Sequence, residues 1–207
     1  MNTCYFCHLF TKKMKRMKFV PLHITLKNGR TVEIREATID DAQGLIDAAK
    51  KYLRDSDYLL SYEEEFNNTL EEEITWIKSM DNRNSLLLVA TSGNEIIATF
   101  SLRGWQLKKV EHTAEIAIAI LNDWQGIGLG TSLFDSAIRW CKEKSLLEIL
   151  YLDVFAENRT AYRLYRKIGF IEDGRRKNNF KTKSGKYIEN IMMSLDLRNI
   201  KIKNKLK

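Results

Sequence analysis

The sequence predicts a mixed α+β fold: a central, mostly antiparallel sheet with helices on both faces and one parallel β-α-β pair within it. Three observations carry this prediction. Residues 113–121 alternate as a strand, residues 128–144 hold apolar side chains at helical spacing, and residues 147–155 return as a strand. Two strands joined through a helix in this way run parallel, with a right-handed crossover. Around this unit, alternating segments separated by short polar turns read as antiparallel pairs. With 207 residues, 44% hydrophobic content and a single proline, the chain is long enough for one domain with a sizeable core.

The elements follow in order. Residues 23–26 and 31–34 alternate around Asn28 and Gly29, which gives a first hairpin. Thr38 is placed to cap a helix running to Leu53. Residues 58–68 read as a loop or short helix, and residues 70–79 as a helix. Strands at 86–90 and 95–102 flank Ser92, Gly93 and Asn94, a hairpin turn. In the helix at 128–144, Leu129, Leu133, Phe134, Ala137, Ile138 and Cys141 form the buried stripe, so Cys141 reads as a small core residue. A helix at 159–168 and strands near 170–180 and 186–197 close the chain. The chain thus divides into a basic extension with the first strand (1–30), a folded domain (31–197) and a basic tail (198–207).

The most informative stretch is 125–130, Gln-Gly-Ile-Gly-Leu-Gly, between the strand and the helix of the β-α-β unit. A glycine-rich turn entering a helix points several unpaired N–H groups at one place, and the helix dipole adds positive potential there. Such a place suits a phosphate or diphosphate. Thr131 and Ser132 follow Gly130 with no lysine nearby, so a Walker loop is excluded. A dinucleotide fingerprint needs a third glycine at 131 or 133, where Thr and Leu stand. What remains is Gln/Arg-x-x-Gly-x-Gly/Ala, met by Gln125, Gly128 and Gly130. A second motif follows at fixed spacing: Asn158, Ala161, Leu164, Tyr165, Gly169 and Phe170.

These two motifs, in this order, resemble the signatures of the GNAT superfamily of N-acetyltransferases. The likeness extends from about residue 31 to 197, and residues 185–193 resemble the last strand of a branch that acetylates amino acids, peptides or small amines. The resemblance implies a GNAT-type fold whose parallel strands splay to hold acetyl-coenzyme A. The diphosphate would lie on the amides of Gly126, Ile127, Gly128, Leu129, Gly130 and Thr131, with Gln125 shaping the turn. The pantetheine arm would pair with the backbone of Ile118, Ala119 and Ile120. The glycines would keep side chains out of the ligand's way.

Three side chains have two readings each. Asn158 is a good helix cap and, by the resemblance, a cofactor contact. Tyr165 lies on the inner face of its helix as a core residue would; in the family the matching tyrosine protonates the departing thiolate. Glu115 is an exposed strand-end carboxylate or the base that deprotonates the amine, directly or through water. Glu111 and His112 are weaker candidates for that base. No residue pattern points to a covalent acyl-enzyme, so direct transfer to the amine is expected.

Charge bounds the partners. The net charge of +7 comes from the ends: residues 1–30 hold seven basic and no acidic residues, and residues 198–207 hold five and none. The rest, 31–197, has 22 basic against 27 acidic residues, which gives nucleic-acid binding little support. Residues 31–100 carry 6 basic and 15 acidic residues, including Glu63–Glu65 and Glu71 to Glu73. These clusters are either solvated helix faces or the source of a field that attracts a cationic amine. Cys4, Cys7 and His8 spell C-x-x-C-H, but no second ligand pair accompanies them, so neither haem nor metal is expected. No membrane span and no export signal are read, which gives a cytoplasmic expectation. A homodimer is compatible with the resemblance. The competing functions are a non-catalytic acyl-coenzyme A binding module and an acetyltransferase acting on a ribosomal protein.

Overall fold

The computed structural model describes residues 17–200. Cys4, Cys7, His8 and most of both basic ends lie outside these residues. The elements are β1 (Leu22–Thr25), β2 (Thr31–Glu36), α1 (Ala42–Asp55), α2 (Leu70–Ser79), β3 (Leu86–Ser92), β4 (Glu95–Gly104), β5 (Thr113–Ile120), α3 (Leu129–Lys144), β6 (Ile149–Phe155), α4 (Arg159–Ile168), β7 (Ile171–Lys181) and β8 (Tyr187–Asp196). The eight strands form one sheet in the order β1-β2-β3-β4-β5-β6-β8-β7. Every neighbouring pair is antiparallel except β5 and β6.

Local chemistry sets the element ends. A short 3-10 turn (Ile39–Asp41) precedes α1, where the Asp41 carboxylate accepts from Thr38 N at 2.7 Å and from both Arg35 Nη atoms at 2.7 Å. Residues 145–147 are a turn rather than the start of β6, because Ser145 Oγ and Asn84 Oδ1 accept from the amides of Leu147 and Leu146. α4 ends at Gly169, whose φ of 117° suits glycine.

Two cores flank the sheet. On one face α3 and α4 cover Ile34, Leu88, Phe100 and Leu102, and the α3 stripe from Leu129 to Cys141 is buried as read from its spacing. Each fully buried Leu or Phe there contributes ~1.5–3 kcal/mol. On the other face α1 and α2 cover Leu87, Val89 and Ile96.

The sheet is not continuous. β5 and β6 pair only from Thr113↔Ile149 to Glu115↔Tyr151. Beyond that point β5 stays with β4 as far as Ile120, and β6 stays with β8 as far as Phe155. A gap therefore opens in the middle of the sheet. Odd-numbered β5 residues exchange main-chain bonds with β4, as at Trp105 N to Thr113 O and Leu121 N to Ile97 O. Antiparallel pairs exchange bonds at every second residue, so even-numbered β5 residues face β6, and beyond the last pair the main-chain groups of Ile118 and Ile120 turn into the gap.

The first hairpin belongs to this architecture. Lys27 N donates to Ile127 O at 3.2 Å, and Arg30 Nη1 donates to Asp123 O at 3.3 Å. The Arg30 guanidinium also sits 4.8 Å over the Trp124 ring. A boundary between residues 30 and 31 therefore falls inside one hairpin that buttresses the glycine turn.

Candidate active site

The glycine turn is built from the end of β5. Gln125 Nε2 donates to Ile120 O at 2.9 Å and to Asn122 Oδ1 at 3.1 Å, which folds the chain back across the strand end. Gly126 and Gly128 then take φ values of 74° and 102°, a region that L side chains avoid. The first helical bond is Ser132 N to Gly128 O at 3.1 Å. Among the described residues, no main-chain acceptor serves the N–H groups of residues 126–131. Six amides at the mouth of a helix are thus left for a ligand.

Not all the glycines serve the ligand. A Cβ at Gly126 would meet nothing within 4 Å, so its conformation, not its size, requires glycine. A Cβ at Gly130 would lie 2.8 Å from Leu164 Cδ2 and 3.3 Å from Ile120 Cδ1. Gly130 is therefore also small so that α3 can approach α4 and β5.

A cleft of about 720 Å³ runs from this turn through the gap in the sheet. Among the residues read from the sequence, Glu115, Ile118, Ala119, Ile120, Gln125, Gly126, Gly128, Gly130, Thr131, Asn158 and Tyr165 line it. Ile127 and Leu129 do not: Leu129 is in the core, and the Ile127 carbonyl holds the hairpin. Ala119 lines the cleft through its face, but its main-chain groups belong to the β4 pairing, so only Ile118 and Ile120 can offer a free backbone edge. The Ile120 carbonyl is already taken by Gln125, which leaves its N–H. Glu111 and His112 are outside the cleft; their carbonyls accept from Asn84 Nδ2 and from the amides of Glu148 and Ile149, at the paired end of β5.

The three ambiguous side chains each resolve into a geometry. Asn158 Oδ1 accepts from Ala161 N at 3.0 Å and caps α4, while its Nδ2 donates to no protein group among the described residues. Tyr165 packs edge-on against Phe134 at 5.7 Å, and burial pushes its phenol up to about 12. It is a core tyrosine that also reaches the cleft, and its hydroxyl makes no hydrogen bond among the described residues. Glu115 is exposed on the opposite face of the sheet, beside Tyr151 across the last β5–β6 pair. A phenol and a carboxylate thus flank the gap from its two sides.

The acidic clusters lie elsewhere. Glu63 pairs with Arg54 at 2.6 Å, Glu64 pairs with Lys183, and Glu73 accepts from Asn68 at 3.1 Å under α2. None of them lines the cleft; its carboxylates are Asp55, Glu115 and Asp153. Lys27 was invisible to motif reading, yet its stem passes 3.8 Å from the Cβ position of Gly128, beside the free amides.

Residues 45–170 match the model of the acetyltransferase (GNAT) family, over more than half of the chain. The chain belongs to this family. Among its curated relatives, L-amino acid N-acetyltransferase AaaT of Escherichia coli (strain K12) is 24% identical over 136 residues, 63% of this chain and 83% of the relative. An N-alpha-acetyltransferase of Sulfurisphaera tokodaii is 37% identical over 57 residues, 28% of this chain and 34% of the relative. Among solved structures, a GNAT-family acetyltransferase from Streptococcus pneumoniae superimposes with a TM-score of 0.77 at 26% identity, over 80% of this chain and 99% of that one.

Proposed function

We propose that this GNAT protein transfers the acetyl group of acetyl-coenzyme A directly to a primary amine of a small molecule, amino acid or peptide. One observation carries the reading. A single cleft joins unpaired amides of the glycine turn, a free strand edge, a phenol and a carboxylate, the groups that a diphosphate, a pantetheine amide, a sulfur and an amine would need. The residues fit the donor. Amides bonded to charged phosphate oxygens contribute ~1.5–3 kcal/mol each before ordering costs. Lys27 adds a cation beside them.

Acetyl-coenzyme A supplies the acetyl group as an activated thioester. The chain's own residues handle the protons. Glu115, directly or through water, takes the proton that an ammonium must lose before its nitrogen can attack the carbonyl carbon. The Ile118 N–H, free in the gap, stabilises the negative charge that develops on the carbonyl oxygen. As the C–S bond breaks, Tyr165 gives its proton to the sulfur. A phenol with its pKa lifted to about 12 stays protonated at neutral pH and can serve as that acid. One relative is named an L-amino acid N-acetyltransferase and the other an N-alpha-acetyltransferase, which supports an amine acceptor of an amino acid or peptide.

The test is thiol release from acetyl-coenzyme A over a panel of amines, amino acids, amino-acid amides and short peptides. Turnover with at least one amine, lost in Tyr165→Phe, is expected. Tight binding of acetyl-coenzyme A with no turnover on any amine would favour the binding-module reading instead.

A further inference from the structure

The far wall of the cleft, on the α1 face of the sheet, contains a buried amide that nothing among the described residues satisfies. Asn190 on β8 is 0% exposed, and neither its Oδ1 nor its Nδ2 has a hydrogen-bond partner. Its neighbours Ile191, Met193 and Leu195 face the α3 core, so alternation turns Asn190 to the other face, where it lines the cleft. Native interiors rarely leave both ends of an amide unpaired, because each end then forfeits its bonds to water. A ligand that brings an acceptor and a donor side by side would satisfy both ends at once.

The surroundings narrow that ligand. Asn190 lies directly across from Phe155 on β6. Phe155 stacks on Phe180 at 4.1 Å and meets Tyr58 at 6.2 Å, so an aromatic wall stands beside the amide. A bulge between Arg176 and Phe180, with Asn178 at φ 54°, aims Phe180 into this wall. The charges of the lining are sorted by face. The carboxylates of Asp153 and Glu115 share the face of Asn190, and Asp55 ends α1 on that side. The lysines of the lining sit elsewhere: Lys27 is packed against Gly128, and Lys167 is on α4, across the sheet. Arg176 is the cross-strand neighbour of Asn190 but is exposed and outside the cleft. A free carboxylate placed at Asn190 would face like charges, with no cation of the described lining on that face to offset them. An uncharged carbonyl would not, and an ammonium group would be attracted.

We infer that Asn190 selects the acceptor by binding an α-amino amide. The amide carbonyl accepts from Nδ2, the α-nitrogen donates to Oδ1, and an apolar or aromatic side chain lies against Phe155 and Phe180. This inference rests on the acetyltransferase reading and narrows its acceptor. The chemistry is shared by a small amino-acid amide and by the amino-terminal residue of a peptide.

The experiment measures kcat/KM by thiol release with L-phenylalaninamide, the tripeptide Phe-Ala-Ala and L-phenylalanine, each with the wild type and with Asn190→Leu. The wild type should prefer the amide and the peptide to the free amino acid by about tenfold or more. Equal rates on amide and peptide would show that one residue suffices, and a higher rate on the peptide would identify a peptide terminus as the source; both support the inference. Asn190→Leu should lose about tenfold or more in kcat/KM on the amide, chiefly through KM, while its melting temperature holds or rises because an unsatisfied buried amide is gone. Wild-type turnover on L-phenylalanine equal to that on its amide would overturn the inference, independently of any variant. So would a selectivity unchanged in Asn190→Leu, or a fall in melting temperature with kcat/KM intact. In those cases the acetyltransferase reading stands; only thiol release from none of these amines, nor from the wider panel, would undermine that reading as well.

Discussion

Tyr165 carries the most exposed prediction at the scale of single residues. Its ring is held by Phe134 and Phe170, so Tyr165→Phe keeps the packing and removes only the hydroxyl. The variant should lose ~10²–10⁴-fold in kcat, with its melting temperature nearly unchanged. Burial lifts the phenol from 10 to about 12, and the acid acts in its protonated form. Raising that pKa extends the working range upward, so a pH–rate profile of the wild type should show no loss of kcat with an apparent pKa near 10. Lys27→Ala should raise the dissociation constant for acetyl-coenzyme A by about threefold to tenfold and weaken its salt dependence, both readable by calorimetry. Tyr165, Gln125 and Asn158 were legible in the sequence because fixed spacing marks them. Lys27 and Asn190 were not: one is an ordinary turn lysine, and the other occupies a strand position that alternation alone reads as polar and exposed. Only folding brings each to the cleft.

At the scale of elements, the approach of α3 to α4 decides the shape of the turn. Gly130→Ala would place a methyl group 2.8 Å from a Leu164 methyl. Overpacking of this kind costs ~1–3 kcal/mol. Adding Leu164→Ala should return part of that loss, so the two changes should be non-additive in chemical denaturation. Gly128→Ala should differ, since its cost of ~1–2 kcal/mol comes from a left-handed φ that no neighbour can relieve. Strands and helices were read to within a few residues because alternation and the α3 stripe are strong patterns. The start of β6 was missed because Leu146 and Leu147 continue an apolar run, while hydrogen bonds from Asn84 and Ser145 hold them in a turn. The position of the gap beyond Glu115 and Tyr151 follows from the pairing of strands distant in sequence, and no local pattern encodes it.

For the whole molecule, the two halves of the sheet meet only at the short β5–β6 pairing and through the helices that cover it. A donor that bridges the gap should therefore stabilise the fold. At a hundred times its dissociation constant, coenzyme A should add ~2.7 kcal/mol, which for a chain of this size raises the melting temperature by roughly 5–11 °C. Charge partition in the sequence left the glutamates of residues 31–100 as either solvated helix faces or the source of a field for a cationic amine. The carboxylates of the folded cleft are Asp55, Glu115 and Asp153, two of them outside residues 31–100, while Arg54 and Lys183 pair with Glu63 and Glu64 and Glu73 is buried on α2 beside Asn68. The most direct measurement is a crystal structure with acetyl-coenzyme A. The diphosphate oxygens should lie within about 3.5 Å of amides in residues 126–131, with the sulfur in reach of the Tyr165 hydroxyl and the acetyl group turned toward Glu115. A diphosphate bound away from this turn, or a thioester held on the far side of α4 from Tyr165, would contradict the account.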